Sequence, residues 1–237
     1  MDAGPAIDDN ARHRSKLRTD LPMAIIDAKS VRVLLFDLGG VLIEIDPLRS
    51  YEHWARAAGM DPVVLRGRSI AEEDFRRHER GEIGEAAFFE ALRGRFGLRL
   101  DDDEIAAGWN ARLGKAIPEA RAQLERAASM RPVYLFSNSN RTHRAHWAAR
   151  HAGMLALFAG CFVSCDIGRR KPDPMAFRDV AGMIGCAPGR ILLFDDLAEN
   201  VEGARLAGLQ AIRVRDPSDI ARALDAIQGS APPGGVS

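Results

Sequence analysis

The sequence carries no surplus of either charge: 33 lysines and arginines face 33 aspartates and glutamates in 237 residues. No overall field steers a polyanion or an acidic lipid surface toward it, so nucleic acid is not an expected partner. Long apolar runs are missing as well. Nothing approaches the ~20 consecutive residues of a membrane helix, and the piece Leu21 to Ile26, interrupted by Pro22, is too short for the core of a secretion signal. A membrane is therefore not an expected partner either. Cysteine is scarce and odd in number, at three. Cys161 and Cys165 fall in one expected strand, where their separation is roughly 13 Å and beyond disulfide reach, so a reducing cytoplasm is the expected setting. No internal repeat is present, and the basic stretch Arg12 to Arg18 is read as a solvated surface.

What is there suffices for a sizeable core: 46% of the residues are hydrophobic, enough for one large domain or for a core with a smaller insertion. The chain is organised around Val31 to Asp46. Its near-continuous apolar run Val31 to Phe36 is too short for a helix and fits a strand buried on both faces of a parallel sheet. That strand delivers Asp37 to its carboxyl end, where ligands bind in open α/β sheets. Gly39 and Gly40 follow, and Val41 to Ile45 is expected to fold back as a short hairpin.

From Asp46 to about Pro118 no strand signal occurs. Ser50 to Gly59, Ile70 to Arg80, Glu85 to Phe96 and Asp102 to Leu113 carry apolar residues at helical spacing, which predicts an inserted helical bundle. Beyond Pro118 helix and strand alternate. The strands are Pro132 to Phe136, Cys161 to Ser164, Ile191 to Phe194 and Gln210 to Val214, and Asp173-Pro174 marks a helix start. The fold class is therefore α/β, a Rossmann-like parallel sheet with helices on both faces plus an inserted α-helical cap. The expected division is an N-terminal extension over 1–30, an α/β core over 31–46 and 118–228, a helical cap over 47–117, and a disordered tail over 229–237.

Each strand end carries a residue able to handle phosphate or metal: Asp37, then Ser137-Asn138, then Lys171 in the loop before Pro174, then Asp195-Asp196. Singly, these have plain readings as turn hydroxyl, basic turn or helix cap. Together on one sheet edge they suit phosphoryl transfer, in which a carboxylate attacks phosphorus and a cation, a hydroxyl and backbone amides neutralise the oxygens. Asp37 fits the nucleophile, and Lys171, Ser137 and the amide of Asn138 fit the phosphoryl contacts. Asp37 and Asp196 fit a hard divalent ion such as Mg²⁺.

The set Phe36-Asp37-Leu38-Gly39-Gly40-Val41-Leu42, Ser137-Asn138, Lys171-Pro172-Asp173-Pro174 and Phe194-Asp195-Asp196 through Asn200-Val201-Glu202-Gly203-Ala204 resembles the four ordered motifs of the haloacid dehalogenase superfamily. The likeness covers about Arg32 to Gln228. His78-Glu79-Arg80-Gly81-Glu82-Ile83, with Asp37-Leu38-Gly39, is similar to the branch containing bacterial α-D-glucose-1-phosphate phosphatase. The resemblance implies a phosphatase acting on a small phosphorylated metabolite through an aspartyl-phosphate on Asp37, with Ser137 and Lys171 holding the phosphoryl group. It implies Mg²⁺ between Asp37, the carbonyl of Gly39 and Asp196, with Asp195 and Asn200 orienting the metal's waters or Lys171.

One departure stands out. Most phosphatases of the superfamily carry an acid two residues after the nucleophile, where this chain has Gly39. A general acid of that kind contributes roughly 10²- to 10⁴-fold. His53, His78 or a metal-bound water is a candidate substitute; otherwise the enzyme favours leaving groups that depart readily, such as an anomeric sugar oxygen. Two other readings follow from the missing acid: a regulatory protein that keeps the fold without catalysis, or a metal-independent 2-haloacid dehalogenase.

Overall fold

The computed structural model describes residues 26–68 and 70–230. In chain order these form β1 (Val33–Phe36), β2 (Ile43–Ile45), α1 (Leu48–Ala58), α2 (Pro62–Arg66), α3 (Glu72–Glu79), α4 (Glu85–Phe96), α5 (Asp102–Ala111) and β3 (Leu113–Ala116). Then follow α6 (Pro118–Met130), β4 (Val133–Ser137), α7 (Arg141–Arg150), α8 (Ala152–Leu155), β5 (Gly160–Val163), α9 (Ser164–Ile167) and α10 (Pro174–Ile184). The chain closes with β6 (Ile191–Asp195), α11 (Ala198–Leu206), β7 (Gln210–Arg213) and α12 (Pro217–Gly229).

Strand β1 reads as an unbroken apolar run because both of its faces are covered. Leu34 and Phe36 point into a cluster with Leu124 of α6, Trp147 of α7 and Ile220 and Leu224 of α12. Val33 and Leu35 point the other way, against Phe177 and Val180 of α10 and Val201 of α11. This is the period-two alternation of a strand between two helical layers. The five strands pair in the order β5-β4-β1-β6-β7, and every pairing is parallel. Strand β1 is central: the chain runs from it to β4 and β5 on one side and then crosses to β6 and β7 on the other. The crevice at such a switch point lies at the carboxyl end of β1, where Asp37 follows.

The five helices α1 to α5 have an apolar cluster of their own, built on Trp54, Leu65, Phe88, Phe89, Leu92, Phe96, Ile105 and Trp109. Gly108 permits the closest contact in it, since a Cβ there would lie 2.0 Å from Trp54 Nε1. Helices α1, α3, α4 and α5 bury rings against one another, and α2 adds Leu65.

Several expectations need correction. Val41 to Ile45 does not form a hairpin on its own: β2 pairs antiparallel with β3, which lies in the segment expected to be free of strands. Backbone geometry explains this, because two chain crossings into the helical insertion lie side by side and satisfy each other's amides. Cys161 and Cys165 do not share a strand, since Cys161 is on β5 and Cys165 on α9. All three cysteines are free thiols. Helices α2, α8 and α9 were not expected. Of the extension, residues 1–25 lie outside the described residues, and so does the expected tail beyond Ser230. Ile26 and Ala28 pack on the core, and the Asp27 amide donates to Gln210 Oε1 at 2.8 Å. No helix among the described residues is long and apolar enough to cross a membrane.

Candidate active site

Three loops and the end of β6 build the site. Asp37 follows β1 directly, and its amide donates to the Phe194 carbonyl of β6 at 2.9 Å, which ties the two strand ends together. Ser137 closes β4, and Asn138 begins the loop beyond it. The Asn138 side chain donates to the Lys171 carbonyl and accepts from the Lys171 amide, both at 2.9 Å. This double bond clamps the loop that carries Lys171, whose direction is further set by Asp173 capping α10 through the Met175 amide.

Lys171 is 1% exposed, and its Nζ lies 2.8 Å from Asp37 Oδ1 and 2.6 Å from Asp195 Oδ2. Asp195 is fully occupied by protein donors, because its Oδ1 also accepts from the Leu197 amide at 3.0 Å and from Asn200 Nδ2 at 2.9 Å. The backbone of Gly40, at φ 76°, lies flat against Asp196, and a Cβ on it would come 2.4 Å from Asp196 Oδ2. Only glycine meets both demands. Gly203 plays the same part under the lysine loop, where a Cβ would lie 2.0 Å from the Pro172 carbonyl.

One oxygen from each of Asp37, Asp195 and Asp196 lies within 4.8 Å of the others. Three carboxylates thus face one ammonium group, and the titration of Asp37 and Asp196 reflects that imbalance. Burial raises the Asp37 carboxyl to about 7 against the opposing pull of Lys171. Burial and the charge of Asp195 raise Asp196 to about 6. Burial works against the charge on Lys171, but Asp195 and Asp37 outweigh it and hold the group above its ordinary value. A divalent cation is the ligand that relieves such a site, and Asp37 and Asp196 are the two acids not saturated by protein donors. Ser137 is buried, and its hydroxyl has no protein partner among the described residues.

The sequence-predicted residues Asp37, Ser137, Asn138, Lys171, Asp195, Asp196 and Asn200 therefore lie along one rim. Neither candidate histidine bonds to the carboxylates. His53 Nε2 lies 3.2 Å from Glu104, and His78 stacks on Phe88 at 4.1 Å with Nδ1 3.2 Å from the Ile83 carbonyl. Burial keeps His78 below its ordinary value. At Gly39 the room a larger side chain would need is taken, with Ile45 Cγ1 2.9 Å from the place of a Cβ.

Sequence reasoning missed the groups that face this rim from the insertion. Glu79 of α3 is buried and accepts from Arg170 Nε at 2.8 Å. Glu85 accepts from Thr142 of α7, and the Trp109 carbonyl accepts from His143 Nε2 at 3.0 Å. Arg112 joins them at the end of α5. Glu79 lay within the cap phrase quoted above, but nothing in its neighbours showed that its partner is 91 positions away.

The profile of haloacid dehalogenase-like hydrolases matches residues 31–208. A phosphatase of Mycobacterium tuberculosis is 30% identical over 195 residues, covering 78% of this chain and 88% of that protein. An HAD family enzyme of Bacteroides thetaiotaomicron, crystallised with magnesium and inorganic phosphate, is 26% identical and aligns with a TM-score of 0.65 over 78% of this chain and 94% of its own. The L-2-haloacid dehalogenase of Xanthobacter autotrophicus, with chloropropionic acid covalently bound, is 22% identical with a TM-score of 0.60, covering 86% of this chain and 85% of its own, a likeness of fold alone. The rim of acids around one lysine and the profile match agree, and the chain belongs to the haloacid dehalogenase-like hydrolases.

Proposed function

We propose that the protein is a Mg²⁺-dependent phosphatase that removes phosphate from a small phosphorylated metabolite through an aspartyl-phosphate on Asp37. The observation that carries this is the shared lysine: Lys171 Nζ bridges Asp37 and Asp195 while Asp196 stands alongside, leaving three acids against one cation. In this reading Asp37 attacks phosphorus and is phosphorylated as the bond from phosphorus to the ester oxygen breaks and the alcohol leaves with a proton from water; a second water then cleaves the acyl phosphate, which releases inorganic phosphate and restores the Asp37 carboxylate. Lys171, the Ser137 hydroxyl and the Asn138 amide hold the phosphoryl oxygens. Asp195 and Asn200 keep Lys171 aimed. Mg²⁺, held by Asp37, the Gly39 carbonyl and Asp196, would supply charge neutralisation of the phosphoryl oxygens.

The core is assigned to 31–46 and 118–228 and the cap to 47–117, with the cap closing over the rim to exclude water and select the substrate. With Gly39 in place of an acid and Ile45 filling that space, the site suits esters whose alcohol departs readily. A sugar phosphate linked through the anomeric oxygen is such an ester. Three free thiols suit a reducing compartment. Dehalogenation without metal is disfavoured by the third acid, Asp196, for which attack on carbon has no use.

The test is phosphate release from a panel of sugar and nucleotide monophosphates, with Mg²⁺ and with a chelator. Turnover is expected with Mg²⁺ and should fall by at least about 100-fold on chelation. Unchanged turnover in chelator would overturn the metal assignment, and absence of any turnover would favour the non-catalytic reading.

A further inference from the structure

Arg112 is a cation beside this rim that makes no ion pair among the described residues. It ends α5 at the seam where the insertion returns to the core: its carbonyl accepts from the Asp46 amide at 2.9 Å, next to β2, which follows the Asp37 loop. Its guanidinium lies over the Trp109 ring, with Cζ 3.9 Å from the centroid, and Nε donates to the buried Ser50 hydroxyl at 3.2 Å. No carboxylate among the described residues pairs with it, and its two terminal nitrogens make no bond to the protein. The other cations of the seam are satisfied, since Lys171 holds Asp37 and Asp195 and Arg170 holds Glu79.

Its neighbours tie it to the loop after β4, since Trp109, on whose face the guanidinium lies, stacks in turn on His143 at 4.7 Å. Burial raises the Glu79 carboxyl, and the charges of Arg170, Lys171 and Arg112 all oppose that rise, so Glu79 lies among these three cations. Burial and the charge of Arg112 both lower His143, whose Nδ1 lies 3.3 Å from the Asn140 side chain, three positions beyond Ser137. Arg112 thus stands between the Asp37 loop and the Ser137 loop. Burial brings the guanidinium itself down to about 10. Glu79 is the acid whose charge reaches it, but no carboxylate lies at ion-pair distance, and a guanidinium kept so in buried surroundings is costly. The Trp109 face and the Ser50 bond also fix the plane of the fork, leaving its outer edge free for a planar, two-point contact.

We propose that Arg112 binds a second anionic group of the substrate, so that the preferred substrates are phosphomonoesters that carry a carboxylate or a further phosphate on the part that leaves. This rests on the phosphatase reading and narrows its substrate class.

The probes are phosphoglycolate and ethyl phosphate, which differ only in a carboxylate against a methyl group, with the bisphosphate of ethylene glycol as the phosphate arm. Each is measured as a competitive inhibitor of p-nitrophenyl phosphate hydrolysis in Mg²⁺. The parent enzyme should bind one or both probes that carry a second anionic group ~10- to 100-fold more tightly than ethyl phosphate, and Arg112→Gln should erase that ratio while Arg112→Lys keeps part of it. Which arm shows the preference identifies the anion. The ratio is taken within each protein, so a general loss of activity or stability leaves it alone. No preference in the parent, or a ratio that survives Arg112→Gln, overturns the proposal. If p-nitrophenyl phosphate is not hydrolysed at all, the phosphatase reading falls and calorimetric titration decides the proposal separately. Phosphoglycolate binding weakened by Arg112→Gln keeps it, and equal or absent binding removes it.

Discussion

At the sheet rim each ionic group leans on another: Lys171 on two aspartates, Asp195 on three donors, the Lys171 backbone on both ends of the Asn138 amide. In the helices α1 to α5 the interior is instead rings, with Trp54 and Trp109 stacked 6.4 Å apart and Phe96 and Phe88 against them. The insertion meets the core through polar contacts, Glu79 with Arg170 and Glu85 with Thr142. A network of charges at hydrogen-bond distance holds one geometry, as the transfer of a phosphoryl group requires. An apolar cluster can shift as a body over that rim without losing its own contacts, which suits a closing cover. Under the proposed function the two regions would divide chemistry from choice of substrate.

The comparison breaks first at Asp37. Asp37→Asn should lower phosphate release by roughly 10⁴-fold or more, the scale seen when a nucleophile is removed. Residual turnover near the parent level would leave the rim without a catalytic role.

A smaller effect separates the two regions directly. Gly203→Ala forces a methyl to 2.0 Å from the Pro172 carbonyl beneath the lysine loop, and Gly108→Ala forces one to 2.0 Å from Trp54 Nε1 in the cap. Each should cost about 1–3 kcal/mol by overpacking, measured by denaturant unfolding. Their kinetics should differ: Gly203→Ala lowers kcat by displacing Lys171, while Gly108→Ala acts on KM and on the order of preferred substrates. The reverse pattern would unseat the division of labour.

The smallest effect is the pH dependence of stability in metal-free protein. Asp37 and Asp196 are raised from 3.8 to about 7 and about 6. The folded state therefore binds protons more tightly than the unfolded one, so their contribution is fully present below 3.8 and is lost as pH rises through about 6 and about 7. The metal-free Tm should fall as pH rises across that window. Saturating Mg²⁺ should flatten the curve, because the cation favours the ionised acids. A metal-free Tm that climbs across the same range contradicts the arrangement of the acids.

Much of the rim was legible because its residues sit where local rules are strong. Val33 to Phe36 can only be a doubly covered strand, and Asp173-Pro174 starts a helix whatever lies around it. Leu113 to Ala116 was not legible: Leu-Gly-Lys-Ala has no alternation, and its strand state comes from lying beside Ile43 to Ile45. Cys165 was misplaced for a similar reason, since the end of β5 depends on where its partner β4 ends. The stack of Arg112 on Trp109 follows from helical spacing, but its bond to Ser50 spans 62 positions and has no local signal.

By itself the amino-acid order determined which residues end or follow the central strands β1, β4 and β6, and with them the acids, the hydroxyl and the lysine available for phosphoryl chemistry. Only the tertiary structure decided which acids Lys171 neutralises and which remain for a cation. It also decided that Ile45 fills the space beside Gly39 and that Arg112 is left without a counter-ion. Strand identity is written in neighbours a few positions apart, whereas charge balance depends on groups a hundred positions apart meeting within a few ångström.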